Sequence, residues 1–291
     1  MKRELVLSVE HQGLIYGLLG VIGFSLTPPG TRMAVEYLDP GFVGLGRAVV
    51  AGLLASIILF VMKIPLPEKK YYKKFFIVSM CVGLIYPLLL GWSMQYITAS
   101  HTGVVLGILP LATAVVGALR SGERPSAEFW LLSIFAALSV VAFSIINGGG
   151  VLQVEDLMLL VAVIIGAIGY TEGALLAKDL GGWQVICWAM VFALPVLIIP
   201  FVMIALPMEL HVPSSAWYGF FYVAISSQLV SFFAWYKGLA MGGITRVSQL
   251  MFLMPFMTII ESQWLLNDIV GLHTYFFAAL VIVIVLLSRR F

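Results

Sequence analysis

Apolar residues run almost without interruption along this chain, and short polar clusters break them at intervals. A helix that crosses a bilayer needs about 20 consecutive apolar residues. Reading the runs between breaks predicts ten spans, at 13–35, 41–62, 75–96, 100–119, 127–146, 156–178, 183–206, 216–240, 245–264 and 271–288. The breaks suit turns. EYLDPG at 36–41, KDLGG at 178–182 and LPMELHVPSS at 206–215 are polar or proline-bearing, and 63–74 holds five lysines and two prolines. The run Asn147-Gly148-Gly149-Gly150 reads as a loop near the middle of the chain.

One apolar stretch, 96–124, returns at a fixed offset. Adding 145 takes Ser100 to Thr245, Pro110 to Pro255, Thr113 to Thr258 and Glu123 to Asp268. The first copy ends in Arg120, Glu123 and Arg124, the second in Asn267 and Asp268 with no cation. Splitting ten spans at 148–150 gives five and five, and an odd number per half forces the halves to insert in opposite senses. The expected domains are therefore residues 1–148 and 149–291.

Lysine and arginine stay on the cytoplasmic side of a membrane. With the N-terminus inside, fourteen of the sixteen fall on inner segments or adjoining helix ends: Lys2, Arg3, Lys63, Lys69, Lys70, Lys73, Lys74, Arg120, Arg124, Lys178, Lys237, Arg246, Arg289 and Arg290. Arg32 and Arg47 lie toward the other side, where Glu36, Asp39, Glu155, Asp156, Glu209 and Asp268 also fall. The fold class expected is an all-α integral membrane protein of ten transmembrane helices in two inverted five-helix repeats. Both termini are cytoplasmic, and the location is the cell membrane, a bacterial inner membrane.

Composition removes the competing classes. Hydrophobic residues are 62% of the chain and charged residues 10%, against about 25% charged in a soluble domain. No basic stripe suits nucleic acid. No glycine-rich phosphate loop is present. Cys81 and Cys187 fall inside spans more than 100 residues apart, and His11, His101, His211 and His273 are scattered, so no disulfide, metal or cofactor site is expected. Lys2 and Arg3 precede an apolar run that continues past Pro28 and Pro29 with no small-residue cleavage site, which reads as a retained first span.

Ionisable groups within spans are the strongest functional pointers, because each is costly unless paired or wet. Glu172, about six residues or roughly 9 Å from the inner end of span six, suits proton or substrate-amine binding, or a structural ion pair. Arg47 on span two could hold a substrate carboxylate bidentately or tie down Glu36 or Asp39. Glu261 reads as a snorkelling residue or a transport residue, and its repeat counterpart is Val116. Lys237 and Arg246 read as anchors, and Glu123 as a local partner of Arg120 or Arg124. Gln228, Ser231 and Trp235 fall at i, i+3 and i+7 on one helical face. Trp92 and Tyr96, at i and i+4, suit stacking on a substrate or an interfacial aromatic belt. Phe24, Thr27 and Thr31 share a face beside Pro28 and Pro29, which should kink or break span one. Tyr170 points away from Glu172. Gly13 with Gly17, and Gly169 with Gly173, permit close helix contact.

Three segments carry a family resemblance: GFSLTPPGTRMAVEYLDPGFVGLGRAVVAGLL (23–54), GWSMQYITASHTGVVLGILPLATAVVGALRSGERPS (91–126) and FFAWYKGLAMGGITRVSQLMFLMPFMTII (232–260). With these the chain resembles the drug/metabolite transporter superfamily, in its EamA-type ten-helix branch. In the second half the usual Gly-Glu ending is replaced by Asn267-Asp268. The resemblance implies secondary transport, often export, of a small metabolite such as an amino acid, either proton-coupled or facilitated. It also implies a cavity lined by spans one, three, four, six, eight and nine. Within it Glu172, Arg47, Trp92, Tyr96, Gln228, Ser231 and Trp235 are the candidate substrate residues, and Pro28, Pro110 and Pro255 the candidate bends for gating. The expected partners are a small-molecule substrate, protons as coupling ion, the lipid bilayer and a second copy in a homodimer, with no nucleic acid. Intramembrane acid and many aromatics keep cationic, quaternary-ammonium or drug-like substrates open as the alternative. A membrane-embedded lipid enzyme lacks surface acidic or histidine motifs here, and a receptor lacks a soluble sensor segment.

Overall fold

The computed structural model describes residues 8–96, 105–146, 155–208, 211–266 and 271–288. Lys2, Arg3, Ser100, His101, Glu209, Arg289, Arg290, the 147–150 break and the Asn267-Asp268 ending lie outside the described residues. Among the described residues seven helices are long and apolar enough to cross a membrane. Two shorter apolar helices, Leu109–Ser121 and Leu272–Ser288, and an interrupted helix over 244–266 bring the described spans to the ten expected. The exterior is apolar: Phe60, Leu119 and Met203 are among the most exposed large side chains, as a lipid-facing surface requires.

Several spans are broken, three of them just before the prolines at which the sequence leads one to expect a bend. Span one is Val9–Ser25 and Thr27–Val35, with Leu26 between. Pro28 and Pro29 sit in the first turn of the second piece, where a missing N–H costs least. Carbonyls around the break are answered by hydroxyls instead. Tyr222 donates to Gly23 O at 2.8 Å, and Thr258 to Ser25 O at 2.7 Å. Span four resumes as Leu109–Ser121 after a turn closed by Ile108 N–H to Val105 O at 3.1 Å. Span nine runs as Ile244–Ser248, a 3₁₀ turn Gln249–Leu253, and then Met254–Leu266. Pro110 and Pro255 each stand second in the resumed helix. All three prolines therefore start helices after a break.

Spans three and eight carry π-helical segments, Ser79–Ile85 and Tyr222–Val230. Shifting the first by 145 lands on 224–230, so the two halves are distorted at matching places. Span two (Pro40–Val61) starts at Pro40 and is capped by Asp39 Oδ1, which accepts from Phe42 N at 3.0 Å. Spans five, six and seven are Ala127–Ser144, Glu155–Leu180 and Gly182–Ala205.

Span one packs on span eight, and span six on span three. Span two packs on seven, four on nine, and five on ten. Exchanging span one for six, two for seven, and so on through five for ten reproduces this pairing. Glycine brings span one onto eight: a Cβ on Gly13 would lie 3.0 Å from Gly238 O and nearer still to the Gly242 backbone. Gly169 likewise admits Cys81 and Val82 of span three, and Gly173 admits the Tyr236 ring of span eight.

Candidate transport site

A small cavity lies where the breaks and π segments converge. Span one contributes Phe24, Thr27 and Pro28, and span two Arg47. Span three brings Val82 and Tyr86, span six Tyr170, span eight Ser227, Gln228 and Phe232, and span nine Met251 and Met254. Leu106 represents span four. The lining matches the family expectation with one addition, span two, which enters through Arg47. The free space is about 30 Å³, enough for about one or two waters.

Arg47 is the charged residue of this cavity. Its side chain is 5% exposed, and one terminal nitrogen donates to Ser227 Oγ at 2.9 Å. Ser227 also shares a 2.7 Å hydrogen bond with Thr27 Oγ1 across the two halves. Arg47 Nε is buried with no partner, and among the described residues no carboxylate reaches ion-pair distance of the guanidinium. Neither Glu36 nor Asp39 ties it down, because Asp39 is spent on the cap of span two and Glu36 is exposed. A guanidinium carries five N–H donors in a fixed fork, and among the described residues only its bond to Ser227 is made here. Gln228 is fixed opposite, donating from Nε2 to Val82 O at 3.0 Å and to Met190 Sδ at 3.4 Å. Aromatic rings close the remainder: Phe24 meets Phe232 edge-on at 4.8 Å, and Tyr170 meets Phe232 at 5.8 Å.

The other sequence candidates fall elsewhere. Ser231 packs against Gly23 and donates to Ser226 O at 2.8 Å. Its backbone N–H donates to the same carbonyl, the π-type bond to the fifth residue back, and the π turn rotates Ser231 out of the face it was expected to share with Gln228. Trp235 is fully buried behind the lining, edge-on to Phe24 and Tyr170 at 6.2 and 5.7 Å. Trp92 and Tyr96 are 45% and 69% exposed and do not line the cavity.

Glu172 is also off the cavity. It is 2% exposed and paired with Arg120 of span four, whose Nε donates to Glu172 Oε1 at 2.8 Å while a terminal nitrogen contacts the same oxygen. The structural ion pair is the geometry found. Arg120 is thus not available to Glu123, which turns to span nine. Glu123 accepts from Ile244 N and Thr245 N at 2.9 Å each and from Thr245 Oγ1 at 2.6 Å. Burial alone would raise its carboxyl, but the bonds from Thr245 and Ile244 and the nearby Lys178 outweigh this and hold it below the ordinary carboxylate value. Gly122 (φ 75°) and Gly243 (φ 88°) supply the left-handed turns on either side of this latch.

More ties cluster at this lysine- and arginine-rich end. Arg246 pairs with Glu10 at 3.2 Å, Tyr71 donates to Asp179 at 3.2 Å, and Lys237 Nζ lies 3.9 Å from the Tyr16 ring centre. Arg120–Glu172 and Glu123–Thr245 both join the first half of the chain to the second. Polar contacts between the halves thus cluster on the basic side of the protein.

Sequence reasoning picked out Phe24, Thr27, Arg47 and Gln228 among the lining residues, and missed Ser227, Tyr86 and Phe232 as its polar and aromatic partners. Polar residues clustered mid-span at 226–228 and the mid-span Tyr86-Pro87 pair were the available signals.

Comparison with known proteins agrees with this architecture. The model of the EamA-like transporter family matches twice, at residues 11–145 and 153–290. An uncharacterized transporter of Bacillus subtilis (strain 168), YdeK, is 39% identical over 287 residues, covering 96% of this chain and 97% of its own. A solved crystal structure superposes with a TM-score of 0.73 over 95% of this chain and 96% of its own; at 13% identity that is a likeness of fold. Two family matches covering nearly the whole length, on a multi-pass helical membrane protein, place this chain in the EamA-like transporter family of the drug/metabolite transporter superfamily.

Proposed function

We propose that this transporter moves a small metabolite bearing a carboxylate, such as an amino acid or related compound, by alternating access between inverted halves at residues 1–148 and 149–291. In this reading both termini are cytoplasmic, protons are the coupling ion, and export is the direction the family resemblance implies. The observation that carries the substrate class is Arg47. A buried guanidinium without a counter-ion is costly, and an arginine fork matches a carboxylate bidentately. The ligand supplies the missing charge. Aromatic and methionine walls suit an apolar body beside it.

The cationic-substrate alternative drew on a free intramembrane carboxylate at Glu172. That carboxylate is engaged by Arg120 and lies off the cavity, which favours the anionic reading. With room for about one or two waters, the cavity admits substrate only when the halves part. The breaks at Leu26, 105–108 and Gln249–Leu253 are the places where spans can bend without losing a whole helix. Opening toward the basic end requires Arg120–Glu172 and Glu123–Thr245 to separate.

The test is counterflow of labelled amino acids into liposomes holding purified protein. Amino acids should exchange and compete with one another, while the same compounds as amides or amines should not compete. Transport of amines with no competition from carboxylates would overturn the reading.

A further inference from the structure

Carboxyls that persist inside a membrane span without a cation mark ion and proton pathways. Glu261 is such a group. It stands on span nine, seven residues beyond Met254 of the cavity wall and three beyond Thr258, so the three share one helical face. That face meets the break in span one, where Thr258 donates to Ser25 O.

The Ser25 hydroxyl is the junction. Ser25 is fully buried, and its Oγ lies 2.7 Å from Ile22 O and 2.8 Å from Glu261 Oε1. A serine hydroxyl has one proton to donate, and these two contacts ask for two. A proton on Glu261 resolves the conflict: the carboxyl donates to Ser25 Oγ, and Ser25 donates to Ile22 O. Glu261 is half-buried, its Oε1 meets only the Ser25 hydroxyl and its Oε2 is buried with no partner, and a charge so placed costs more than a neutral carboxyl. Tyr222 of span eight is the titratable side chain beside it, and its hydroxyl is spent on Gly23 O at 2.8 Å. Arg32 on the second piece of span one is exposed, as is Tyr275 on span ten, whose His273 stacks near Phe143 at 6.2 Å. Among the described residues no Lys, Arg or His forms an ion pair with Glu261. Its counterpart in the other half is Val116, so the fold of the span does not require a carboxyl at this place.

We propose that Glu261 is the site at which this transporter takes up and releases its coupling proton. The proposal rests on the transport reading above. Uptake forms one O–H bond on the carboxylate and breaks one on hydronium, leaving water. It turns Ser25 from donating to Glu261 to accepting from it, so that the Ser25 O–H, its bond intact, donates to the carbonyl of Ile22. Loss of the proton reverses both. The tie between the broken helices of spans one and nine, on opposite halves of the protein, thereby follows the protonation state.

The test is infrared titration of carboxyl groups in purified protein held in lipid nanodiscs, with pH as the only variable. Wild type should show a protonated-carboxyl band that titrates, is absent in Glu261→Gln and is kept in Glu172→Gln. Ser25→Ala should move the midpoint of that band by about half a pH unit, since it removes one hydrogen bond. An unaltered band in Glu261→Gln overturns the proposal. Where Glu261→Gln does not fold, an unmoved midpoint in Ser25→Ala overturns it instead. In liposomes, Glu261→Gln should also lose accumulation of labelled amino acid driven by a pH gradient. Absence of amino-acid transport by wild type would sink the transport reading, and the infrared result would still judge Glu261.

Discussion

The cavity around Arg47 and the seal around Glu172 hold the same ingredient, a charged side chain buried in a membrane span, in opposite states. Arg47 has a serine and an unused nitrogen. Glu172 has a guanidinium from another span on it. The paired charge ties two spans together through Oε1, with the second oxygen, Oε2, left buried and unbonded. The unpaired one is a standing demand for a counter-ion. Position differs as well: Arg47 faces a space shared by seven spans, whereas Arg120 reaches Glu172 from a half-exposed position at the basic end. Burial of a charge therefore does not by itself say what the charge does; its partner, or lack of one, tells the two cases apart.

Substitutions that remove one side of this contrast should separate the two roles. Arg47→Ala should have the largest effect, a fall of roughly 10²-fold in amino-acid counterflow, because a desolvated charge pair with the ligand is lost. Arg47→Lys should recover only part, since an ammonium lacks the planar fork. Unchanged counterflow in Arg47→Ala would erase the distinction between the regions. Arg120→Ala should act on stability, lowering it by about 2 kcal/mol in denaturation, a value below that of a fully buried pair because Arg120 is half exposed. The charge-free pair Arg120→Leu with Glu172→Leu should regain most of that loss; failure to do so would mean that the pair does more than tie the halves at the basic end.

Glu123→Ala should cost about 1–2 kcal/mol, as for the loss of a helix cap. Its pH dependence has a definite sign. The folded carboxyl is held below its ordinary value, so its contribution is present above the unfolded value and fades as pH falls through the folded one. Melting curves of wild type and Glu123→Gln should differ at neutral pH and converge in acid; a gap that widened on acidification would contradict the latch. Ser227→Ala should be smallest, weakening amino-acid counterflow by about five-fold for the loss of one hydrogen bond, with stability little altered.

Much of the fold was legible in the sequence because a bilayer enforces local rules. Each span must satisfy its own backbone, so run length, polar breaks and charge bias locate the spans from nearby residues alone. The breaks at Leu26, 105–108 and Gln249–Leu253 stand just before Pro28, Pro110 and Pro255 for the same local reason. The site was legible only in part. The stripe Gln228–Ser231–Trp235 assumed α periodicity, and the π segment over Tyr222–Val230 turns Ser231 and Trp235 away from the cavity. Trp92 and Tyr96 satisfied helical spacing yet face outward.

Sequence alone determined that this chain is a ten-span helical membrane protein with a recurring proline-marked motif and a basic side, because those features depend on neighbours along the chain. Tertiary structure decided that Arg120 goes to Glu172, that Glu123 goes to span nine, and that Arg47 is left facing a cavity without a counter-ion. Those pairings join residues 52 and 121 positions apart. Which charges meet is set by the way helices from the two halves cross, and spacing along one helix carries no record of that.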